Sequence, residues 1–489
     1  MSSLKLGNSG RDDAWRVELR EKMKAKERSQ IERVKMTEED PAVRILSNTE
    51  VNKGISLEEA LTEAHRCLDC TNPTCVEGCP VGIDIPRFIK NIELGNIPGA
   101  IEVIKETNTF PAVCGRVCPQ EVQCESKCTY LKMKKPAVAI GYLERFVADY
   151  EIEYQLNCLP KIKRKNHIKV AVVGSGPAGM AAAGDLAKAG YSVTVFEALH
   201  DFGGVLRYGI PEFRLPKSII DIEIGNLKQM GVKFVKNFIV GKTASINDLR
   251  EEGFRAFFVG SGAGLPNFMN IPGENYNGVL SSNEYLTRVN LMGAGTPGFD
   301  TPVLTGKNVA VIGGGNTAMD SVRTARRMGA ERAIIIYRRS LNEMPARKEE
   351  IKHAIEEGIE FLTLTNPVEY KADDKGRVNR IVLQKMELGE PDSSGRRRPV
   401  AVPGSEYEVE IDLAIVSVGV SPNPILPQSM PDLSVSKWGT IQVDADTMQS
   451  NLTEIYAGGD IVRGGATVIL AMGDGRKAAT AIDTRLHNN

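Results

Sequence analysis

The stretch IKVAVVGSGPAGMAAAGDLAKAGYSVTVFEA at residues 168–198 decides the fold. It passes from an apolar strand through a glycine turn into an alanine-rich helix and then into a second apolar strand, which is the βαβ pattern of a parallel sheet. A second stretch of this kind, KNVAVIGGGNTAMDSVRTARRMGAERAIIIYRR, occupies residues 307–339. The sequence therefore predicts an α/β protein with two related, Rossmann-like nucleotide-binding domains.

The first glycine turn has the spacing G-x-G-x-x-G at Gly174, Gly176 and Gly179. The first glycine permits the tight turn, the second lets a pyrophosphate approach the backbone, and the third lets the helix lie close to the strand. The helix N-terminus offers free N–H groups to the phosphates. Glu197 ends the second strand, where a carboxylate can accept hydrogen bonds from a ribose. This unit predicts a dinucleotide site.

The second glycine turn differs from the first in two respects. Ala318 replaces the third glycine, and Arg338 and Arg339 stand where a ribose-binding acid is expected. A guanidinium can pair with a phosphate but cannot accept a hydrogen bond from a 2′-hydroxyl, so the charge favours NADPH over NADH. The alternative is that these arginines merely end a strand in solvent. The predicted binding residues of the turn itself are Gly313, Gly315, Asn316 and Ala318.

The composition is that of a globular chain without a nucleic-acid or membrane surface. The chain has 489 residues, a formal net charge of -1 and 42% hydrophobic residues, and no apolar run approaches the ~20 residues of a membrane span. The N-terminus lacks the apolar core of a signal peptide, so we expect a cytoplasmic location. Eight of the nine cysteines lie between Cys67 and Cys128, with Cys158 apart. In a reducing compartment this clustering indicates a metal site.

The cysteines follow the pattern C-x2-C-x4-C-x3-C-P from Cys67 to Pro80, and C-x3-C-x5-C-x3-C from Cys114 to Cys128. Zinc sites usually combine two C-x2-C pairs or add histidines, and neither arrangement occurs here. A cysteine run that ends in Cys-Pro is typical of ferredoxins, whose last cysteine binds the neighbouring cluster. The spacing favours iron–sulfur clusters over the alternatives of zinc and disulfides.

Helices are predicted around the cysteines. Residues 14–35 form a charged helical stretch, which we interpret as a solvated surface helix, with docking on a partner subunit as the alternative. Ser56 and Glu59 predict a capping box at the start of the next helix. Residues 140–154 predict a helix that leaves the cysteine region.

The C-terminal stretch IYAGGDIVRGGATVILAMGDGRKAATAI, residues 455–482, resembles the second flavin-contacting segment of flavoproteins with two dinucleotide-binding domains. By this resemblance Gly459 and Asp460 contact FAD, the aspartate at its ribityl–phosphate part, and the first glycine turn holds FAD. An ordinary turn aspartate is the alternative for Asp460. A helix is predicted to begin after the turn at residues 473–475.

Several motifs in a fixed order identify a family. They are CLDCTNPTCVEGCP, TNTFPAVCGRVCPQEVQCESKC, GSGPAG, GGVLRYGIPEFRLP, GGGNTA and AGGD. Over nearly the whole chain from about residue 30, the sequence resembles the small (β) subunit family of NADPH-dependent glutamate synthase. Relatives of that family are the N-terminal region of dihydropyrimidine dehydrogenase and the large subunit of NADH-dependent ferredoxin:NADP oxidoreductase.

The resemblance implies two four-iron, four-sulfur clusters with exchanged ligands. The ligands that it implies for the first cluster are Cys67, Cys70, Cys75 and Cys128. Those for the second are Cys79, Cys118 and Cys124, with a fourth position open between Glu144, which is preferred, and Cys114. A carboxylate ligand would change the cluster potential, because ligand identity and charge help to set it.

The same resemblance implies the domain order and the flavin contacts. A helical iron–sulfur domain at residues 1–165 precedes an FAD domain at 166–305 and 430–489, with an NADPH domain at 306–429 inserted in it. Gly204 and Leu206 are expected to lie along the flavin. No side-chain nucleophile or acid–base pair is expected, because hydride transfer requires mainly that the two cofactors be positioned.

The implied function is that of an electron-input subunit. Electrons pass from NADPH through FAD and the two clusters to a large glutamate synthase subunit, which makes glutamate from glutamine and 2-oxoglutarate. The alternatives keep these cofactors and change the acceptor: the flavin subunit of a ferredoxin:NADP or sulfide/polysulfide oxidoreductase, or the small subunit of a bacterial dihydropyrimidine dehydrogenase. A scaffold without turnover is a further class.

Overall fold

The computed structural model describes residues 10–392 and 395–487. Residues 1–9, 393–394 and 488–489, which fall within the predicted domain ranges, lie outside this description. In the part described, a helical N-terminal region is followed by two α/β units, as the sequence predicts. None of the helices in these ranges is both long and apolar enough to cross a lipid bilayer.

The N-terminal region consists of short helices joined by turns that carry the cysteines. The predicted capping box is confirmed, since Ser56 Oγ accepts from the Glu59 N–H at 3.2 Å. The charged stretch 14–35 is helical only in two short pieces, because the chain becomes extended at Met23 and loses helical geometry after Arg28. The elements are α1 (Ala14–Lys22), α2 (Ala25–Arg28), β1 (Thr37–Glu38), α3 (Pro41–Arg44), β2 (Asn52–Gly54), α4 (Leu57–Arg66), α5 (Thr74–Glu77), α6 (Ile85–Glu93), α7 (Ile97–Lys105), α8 (Pro111–Val117) and α9 (Ile140–Glu153).

The α/β part begins with the first predicted βαβ unit, which is confirmed. Its first elements are β3 (Lys169–Val173), α10 (Pro177–Lys188), β4 (Ser192–Phe196), α11 (Val205–Tyr208), α12 (Lys217–Gln229), β5 (Lys233–Val235), α13 (Ile246–Glu251), β6 (Phe254–Val259) and β7 (Leu265–Pro266). The strands are apolar on both faces, which is typical of a parallel sheet covered by helices.

The second βαβ unit is also confirmed and carries an antiparallel sheet as an addition. The elements are β8 (Val279–Ser281), α14 (Ser282–Asn290), β9 (Asn308–Ile312), α15 (Asn316–Arg327), β10 (Arg332–Tyr337), α16 (Lys348–Glu356), β11 (Glu360–Thr363), β12 (Thr365–Ala372), β13 (Val378–Pro391), β14 (Arg397–Ala401), β15 (Tyr407–Glu410), β16 (Leu413–Val416), β17 (Val420–Ser421) and α17 (Ile425–Gln428). The chain then returns to the first unit through β18 (Ile455–Ala457), α18 (Asp460–Arg463) and α19 (Val468–His487).

Each α/β unit is built on a five-stranded parallel sheet. The strand order is β18-β6-β3-β4-β5 in the first sheet and β11-β10-β9-β16-β8 in the second. Val416 of β16 lies opposite Ser281 of β8, so β8 belongs to the second sheet. The sequence-based boundary at residue 306 assigned this strand to the first domain and is too late. A three-residue strand without a glycine turn gives little sequence signal.

One hydrophobic core extends through the N-terminal region and the first α/β unit. It includes Phe88 and Val113 from the helical region together with Ala182 and Met472 from helices α10 and α19. The two parts therefore fold against each other and do not form separate cores. This shared core brings the cysteine turns close to the helices that surround the first glycine turn.

Candidate redox site

Four of the predicted ligands line one cavity. Cys67, Cys70, Cys75 and Cys128 approach it from the C-x2-C turn, from helix α5 and from the turn after Lys127. The last three are only half-buried. Other residues that line the cavity, most of them apolar, include Leu68, Ile85, Ile89, Tyr130, Val138 and Ile140. We call these four cysteines the first cradle.

Asp69 shapes the turn between Cys67 and Cys70. Its φ of 53° lies in the left-handed region, which aspartate tolerates better than most residues. Its buried carboxylate accepts hydrogen bonds from Arg16 and from Arg20, the latter at 2.6 Å. Helix α1 is thus fastened to the first cradle, and because Arg16 is completely buried, the interpretation as a merely solvated helix is wrong.

Of the other predicted cysteine ligands, Cys118 and Cys124 are buried and Cys79 is half-buried. Burial, and then the charges of Cys79, Glu144 and Cys118 among others, raise the pKa of Cys124. Burial raises the pKa of Cys79 to about 12, and Glu144 and Cys118 add to this shift. The backbone agrees with this grouping, since a Cβ at Gly78, the residue before Cys79, would lie 3.1 Å from Cys124 Cα. We call Cys79, Cys118, Cys124 and Glu144 the second cradle.

Two side chains are available as the fourth member of this group. Glu144 is buried, its Oε1 accepts from Asn108 Nδ2 at 2.7 Å, and burial raises the pKa of its carboxyl to about 8. Cys114 is also buried, with its Sγ 3.7 Å from Asn108 Oδ1 and 3.6 Å from Met472 Sδ. Asn108 therefore contacts both candidates, and the preference for Glu144 as the fourth ligand stays a prediction.

The chemistry of both cradles fits a cationic inorganic core. Burial raises the pKa of Cys67 to about 12, and burial followed by repulsion from Cys67, Cys128 and Cys70 raises the pKa of Cys75 well above its usual value. Thiols so crowded and buried become thiolates only when a nearby cation compensates their charge. All nine cysteines are free of disulfides.

Cys158 belongs to neither group. Its Sγ contacts the Leu156 carbonyl oxygen at 3.9 Å. Burial raises its pKa, with Glu151 as the next cause and no cysteine among the contributing groups. The sequence gives this thiol no partner, and in the structure it is half-buried beside helix α9, where the Cys158 N–H donates to Glu151 Oε1 at 2.9 Å.

The first glycine turn leaves space where a pyrophosphate would approach. Gly174 has a φ of 97°, and a Cβ there would lie 2.5 Å from the Gly260 carbonyl oxygen. A Cβ at Gly179 would lie 2.0 Å from the Gly174 carbonyl oxygen. At Gly176, which caps helix α10, a Cβ would meet nothing within 4 Å. This open space beside the helix N-terminus fits a phosphate group.

Glu197 is hydrogen-bonded to Ser175 of this turn. Glu197 Oε2 accepts from the Ser175 N–H at 2.9 Å and from Ser175 Oγ at 2.5 Å, and Ser175 Oγ accepts from the Gly203 N–H at 2.9 Å. A carboxylate has further lone pairs for a ribose hydroxyl. The sequence does not single out Ser175, because the glycine pattern leaves its position unspecified.

The segment expected along the flavin closes over the first glycine turn. Gly204 has a φ of 54°, and a Cβ there would lie 2.8 Å from Gly176 Cα. Leu206 is buried in α11, and its carbonyl oxygen accepts from Lys217 Nζ at 3.2 Å. Burial lowers the pKa of Lys217 to about 7. This lysine, which sequence analysis does not single out, holds the backbone of the segment.

Gly459 and Asp460 lie at the start of α18, close to the helix of the first glycine turn. Gly459 has a φ of 78°, and a Cβ there would lie 3.0 Å from Ala178 Cβ. Asp460 is half-buried, and burial raises its pKa. The Gly459 N–H donates to Asp474 Oδ2 at 3.0 Å, so a second aspartate, in α19, fixes the turn.

The expected turn at residues 473–475 is wrong, because α19 runs through it without interruption. Gly473 and Gly475 allow α19 to pack closely against two neighbouring segments of the backbone. A Cβ at Gly475 would lie 2.2 Å from the Ala178 carbonyl oxygen, and a Cβ at Gly473 would lie 2.9 Å from the Pro80 carbonyl oxygen. Helix α19 thereby touches the loop that carries Cys79.

The second glycine turn repeats the open position of the first. A Cβ at Gly313, where φ is 145°, would lie 2.3 Å from the Ser417 carbonyl oxygen, whereas at Gly315 nothing lies within 4 Å. Ala318 is fully buried under the turn. Asn316 Oδ1 accepts from the Arg347 N–H at 2.9 Å. The asparagine therefore ties the turn to the loop before α16.

The two arginines after β10 have different surroundings. Arg338 is exposed, and its side chain has no hydrogen bond or ion pair within residues 10–392 and 395–487. Arg339 is buried and donates to the Arg397 carbonyl oxygen and to Asp392, each at 2.8 Å. Arg338 is thus the guanidinium available to a phosphate, while Arg339 also holds the β13–β14 hairpin.

Both α/β units enclose the second cradle. Helix α19 of the first unit lies beside it, with Met472 against Cys114 and Gly473 against Pro80, the residue after Cys79. From the second unit, the buried Arg347 donates to the Arg116 carbonyl oxygen at 3.0 Å and to Gln120 Oε1 at 3.1 Å, on either side of Cys118. Sequence analysis does not single out Arg347, since no local motif connects it with the cysteines.

Comparison with known proteins agrees with the division into a helical cysteine region and an α/β part. Residues 44–156 match the family model "dihydropyrimidine dehydrogenase domain II, 4Fe-4S cluster", and residues 168–475 match "pyridine nucleotide-disulphide oxidoreductase". The chain is 37% identical to the glutamate synthase [NADPH] small chain of Azospirillum brasilense, over 88% of this chain and 90% of that protein. It is also 37% identical to the NADP(+)-dependent formate dehydrogenase subunit beta of Moorella thermoacetica, over 84% of this chain and 60% of that protein.

A structural neighbour supports the fold alone. The structure of Mycobacterium tuberculosis FprA in complex with NADPH matches with a TM-score of 0.56 and 23% identity, over 66% of this chain and 85% of FprA. One polypeptide thus matches both a 4Fe-4S cluster domain and a pyridine nucleotide oxidoreductase domain. It is also similar to the glutamate synthase small chain over most of its length. The chain therefore belongs to the NADPH glutamate synthase small-chain family of iron–sulfur flavoprotein oxidoreductases.

Proposed function

We propose that this chain takes electrons from NADPH and passes them, through FAD and two four-iron, four-sulfur clusters, to the large subunit of a glutamate synthase. The contact between helix α19 and the second cradle carries this proposal. Met472 lies 3.6 Å from Cys114, and Gly473 approaches Pro80 in the loop of Cys79. Cys75 of the first cradle lies in α5, four residues before Cys79 of the second, so one short segment joins the two cradles, and we propose that together they carry electrons from the flavin domain toward the surface.

We propose the following residues as those that hold each group. For the first cluster they are Cys67, Cys70, Cys75 and Cys128. For the second they are Cys79, Cys118, Cys124 and Glu144. For FAD they are Gly174, Gly176, Gly179, Glu197, Gly204, Leu206, Gly459 and Asp460. For NADPH they are Gly313, Gly315, Asn316, Ala318 and Arg338, with Arg339 in support.

The protein's own contribution is position and exclusion of water. Bound FAD supplies the conversion between two-electron nicotinamide chemistry and one-electron cluster chemistry. Gly176 and Gly315 leave room for phosphates, Arg338 offers a guanidinium to a 2′-phosphate, and burial keeps water from the second cradle. The domains proposed are residues 1–165, 166–278 with 430–489, and 279–429. Nine free thiols fit a cytoplasmic location.

A second acceptor class has a specific observation in its favour. The identity to a formate dehydrogenase subunit beta equals that to the glutamate synthase small chain. The same input route can therefore serve a different oxidoreductase partner, and the cofactor sites alone do not distinguish the two. Identification of the partner subunit would distinguish a glutamate synthase from a formate dehydrogenase.

The test of the acceptor is purification of the native assembly without oxygen, followed by identification of the co-purifying subunit. We expect NADPH oxidation that depends on glutamine plus 2-oxoglutarate. NADPH oxidation that these substrates leave unchanged, in an assembly that instead couples NADP+ reduction to formate, would select the second class.

The test of the nucleotide assignment compares NADPH with NADH. Replacement of Arg338 by Ala should raise KM for NADPH by about tenfold, with little change for NADH, because a charge-assisted phosphate pair contributes roughly 1.5–3 kcal/mol. Replacement of the exposed Arg332, which pairs with Glu360, is the matched control. Equal effects on both nucleotides would contradict the role of Arg338.

A further inference from the structure

The turn that closes the first cradle has an uneven charge distribution. Residues 127–136, KCTYLKMKKP, contain four lysines and no acid, in a chain whose net charge is -1. Lys132 and Lys134 are exposed, and neither forms an ion pair within the described part of the chain. Leu131 and Met133 alternate with them and are 46% and 43% exposed. We call residues 127–136 the lysine turn.

The lysine turn is also a wall of the first cradle. Cys128, Thr129 and Tyr130 line the cavity of that cradle, and the 3-10 helix Thr129–Met133 continues directly to the exposed side chains. Thr129 Oγ1 lies 3.4 Å from Cys70 Sγ. A protein that covers Leu131 and Met133 would therefore stand within a few residues of the first cluster's ligands.

A groove adjoins the lysine turn. It has a volume of about 710 Å³ and is bounded by residues 29–36 together with Lys135 and Pro136. Three basic side chains of its wall are paired with carboxylates, Arg33 with Glu125, Arg66 with Glu63 and Lys352 with Glu38. The other charged side chains of the wall are Lys35, Lys135 and Glu32. The turn and the groove thus form one surface whose positive charge comes mainly from the lysines of the turn, where Leu131 and Met133 are also exposed.

We propose that the lysine turn and this groove are the docking surface for the electron-accepting partner, and that the partner presents an acidic face to it. This inference rests on the proposed function and adds the chemistry of the partner. Exposed lysines guide an acidic protein to the surface and fix its orientation, while burial of Leu131 and Met133 excludes water from the contact. The excess of lysine disfavours a basic partner in the same way.

The experiment uses the full chain with its cofactors, under anaerobic conditions and at low ionic strength. The acceptors are rubredoxin, a small acidic one-electron carrier, and cytochrome c, a basic one; each NADPH reduces two carriers and releases one proton. The variant is Lys132→Glu/Lys134→Glu. The matched control is Lys161→Glu/Lys163→Glu, in the exposed linker before the first α/β unit.

For wild-type protein and the control, we expect a lower KM for rubredoxin than for cytochrome c. The Lys132→Glu/Lys134→Glu variant should raise KM for rubredoxin by about tenfold with kcat little changed, and should lower KM for cytochrome c. Reduction of a small tetrazolium dye by NADPH and the iron content should stay at wild-type values, because the redox sites are untouched.

Other outcomes separate the failure of this inference from that of the proposed function. A wild-type preference for cytochrome c, or a variant with unchanged rubredoxin kinetics, overturns the acidic-partner proposal while dye reduction remains. A variant that changes only the self-association of the chain assigns the surface to a second copy and also overturns it. Absence of NADPH-dependent dye reduction in wild-type protein would instead refute the proposed function.

Discussion

The two cradles offer similar ligands but differ in the parts of the protein that surround them. The first has three half-buried cysteines in a cavity beside the lysine turn, and it is fastened from outside by α1 through Asp69. The second is enclosed by helix α19 from one α/β unit and by Arg347 from the other. Both cradles offer cysteine thiols, so the difference between them lies mainly in the protein segments that surround those thiols.

If the proposed function holds, this difference predicts that electrons enter at the second cradle, beside the flavin domain, and leave from the first. A buried group that contacts the flavin domain can receive electrons, and a group close to the surface can deliver them to another protein. The surroundings should also tune the two potentials separately, because charge, hydrogen bonds and solvent exposure near a cluster all affect its potential. Single substitutions can therefore affect one cradle and leave the other intact.

The largest contrast is expected between Cys118→Ala and Cys70→Ala. Loss of Cys70 should remove the first cluster only, so NADPH still reduces the second. Loss of Cys118 should remove the second cluster, through which electrons would reach the first. Reduction of the first cluster by NADPH should then slow by about 100-fold, because the electron donor and acceptor are no longer held close together. Stopped-flow absorbance and EPR measure both rates. Equal reduction of the first cluster in wild-type protein and Cys118→Ala would contradict the order.

The fourth ligand of the second cradle gives the next contrast. Glu144→Ala should lower the iron content from about eight to about four atoms per chain, while Cys114→Ala should leave it unchanged. Glu144→Gln, which keeps an oxygen but removes a negative charge, should retain iron and raise the potential of the second cluster. Iron analysis and EPR redox titration check this. Iron loss in Cys114→Ala alone would assign the thiol as ligand.

A smaller effect is expected where α19 meets the second cradle. Gly473→Ala places a Cβ 2.9 Å from the Pro80 carbonyl oxygen, so the helix must shift by a few tenths of an ångström. Since a 1 Å misplacement can cost about 100-fold, we expect about a tenfold slower transfer to the second cluster. Gly225→Ala, in α12 with nothing within 4 Å, is the control. Rapid-freeze EPR measures the rate, and an unchanged rate would remove this contact from the route.

The smallest effect is an electrostatic one. Arg347→Gln removes a buried positive charge beside Cys118, which makes addition of an electron less favourable. The potential of the second cluster should fall by about 60 mV, a tenfold change for a one-electron couple, and that of the first should fall by less. Arg332→Gln, at an exposed pair, should shift neither. A larger shift at the first cluster would contradict the placement of Arg347.

The sequence predicts the parts of the molecule that depend on local spacing. The glycines of both turns, Glu197 and the cysteine runs are separated by a few to about 23 residues along one βαβ unit or one loop. Their places in the structure follow from the geometry of strand, turn and helix. The grouping of distant cysteines comes from the family resemblance, and the structure brings Cys128 to the cavity of Cys67.

The remaining features depend on contacts between distant segments. Asp69 meets Arg16 across 53 positions, and Arg347 meets Gln120 across 227, so neither pair has a sequence signature. The run at residues 473–475 resembles a turn, because glycine usually ends helices. Only the backbone of Ala178 and Pro80 on either side of α19 explains why glycine stands there within a helix.

The most direct measurement is rapid-freeze EPR of the anaerobic protein after mixing with NADPH, with Cys70→Ala used to assign the first cluster's signal. With about eight iron atoms and eight sulfides per chain, the signal of the second cluster should appear before that of the first. A first-cluster signal that appears earlier, or zinc in place of iron, would contradict the account.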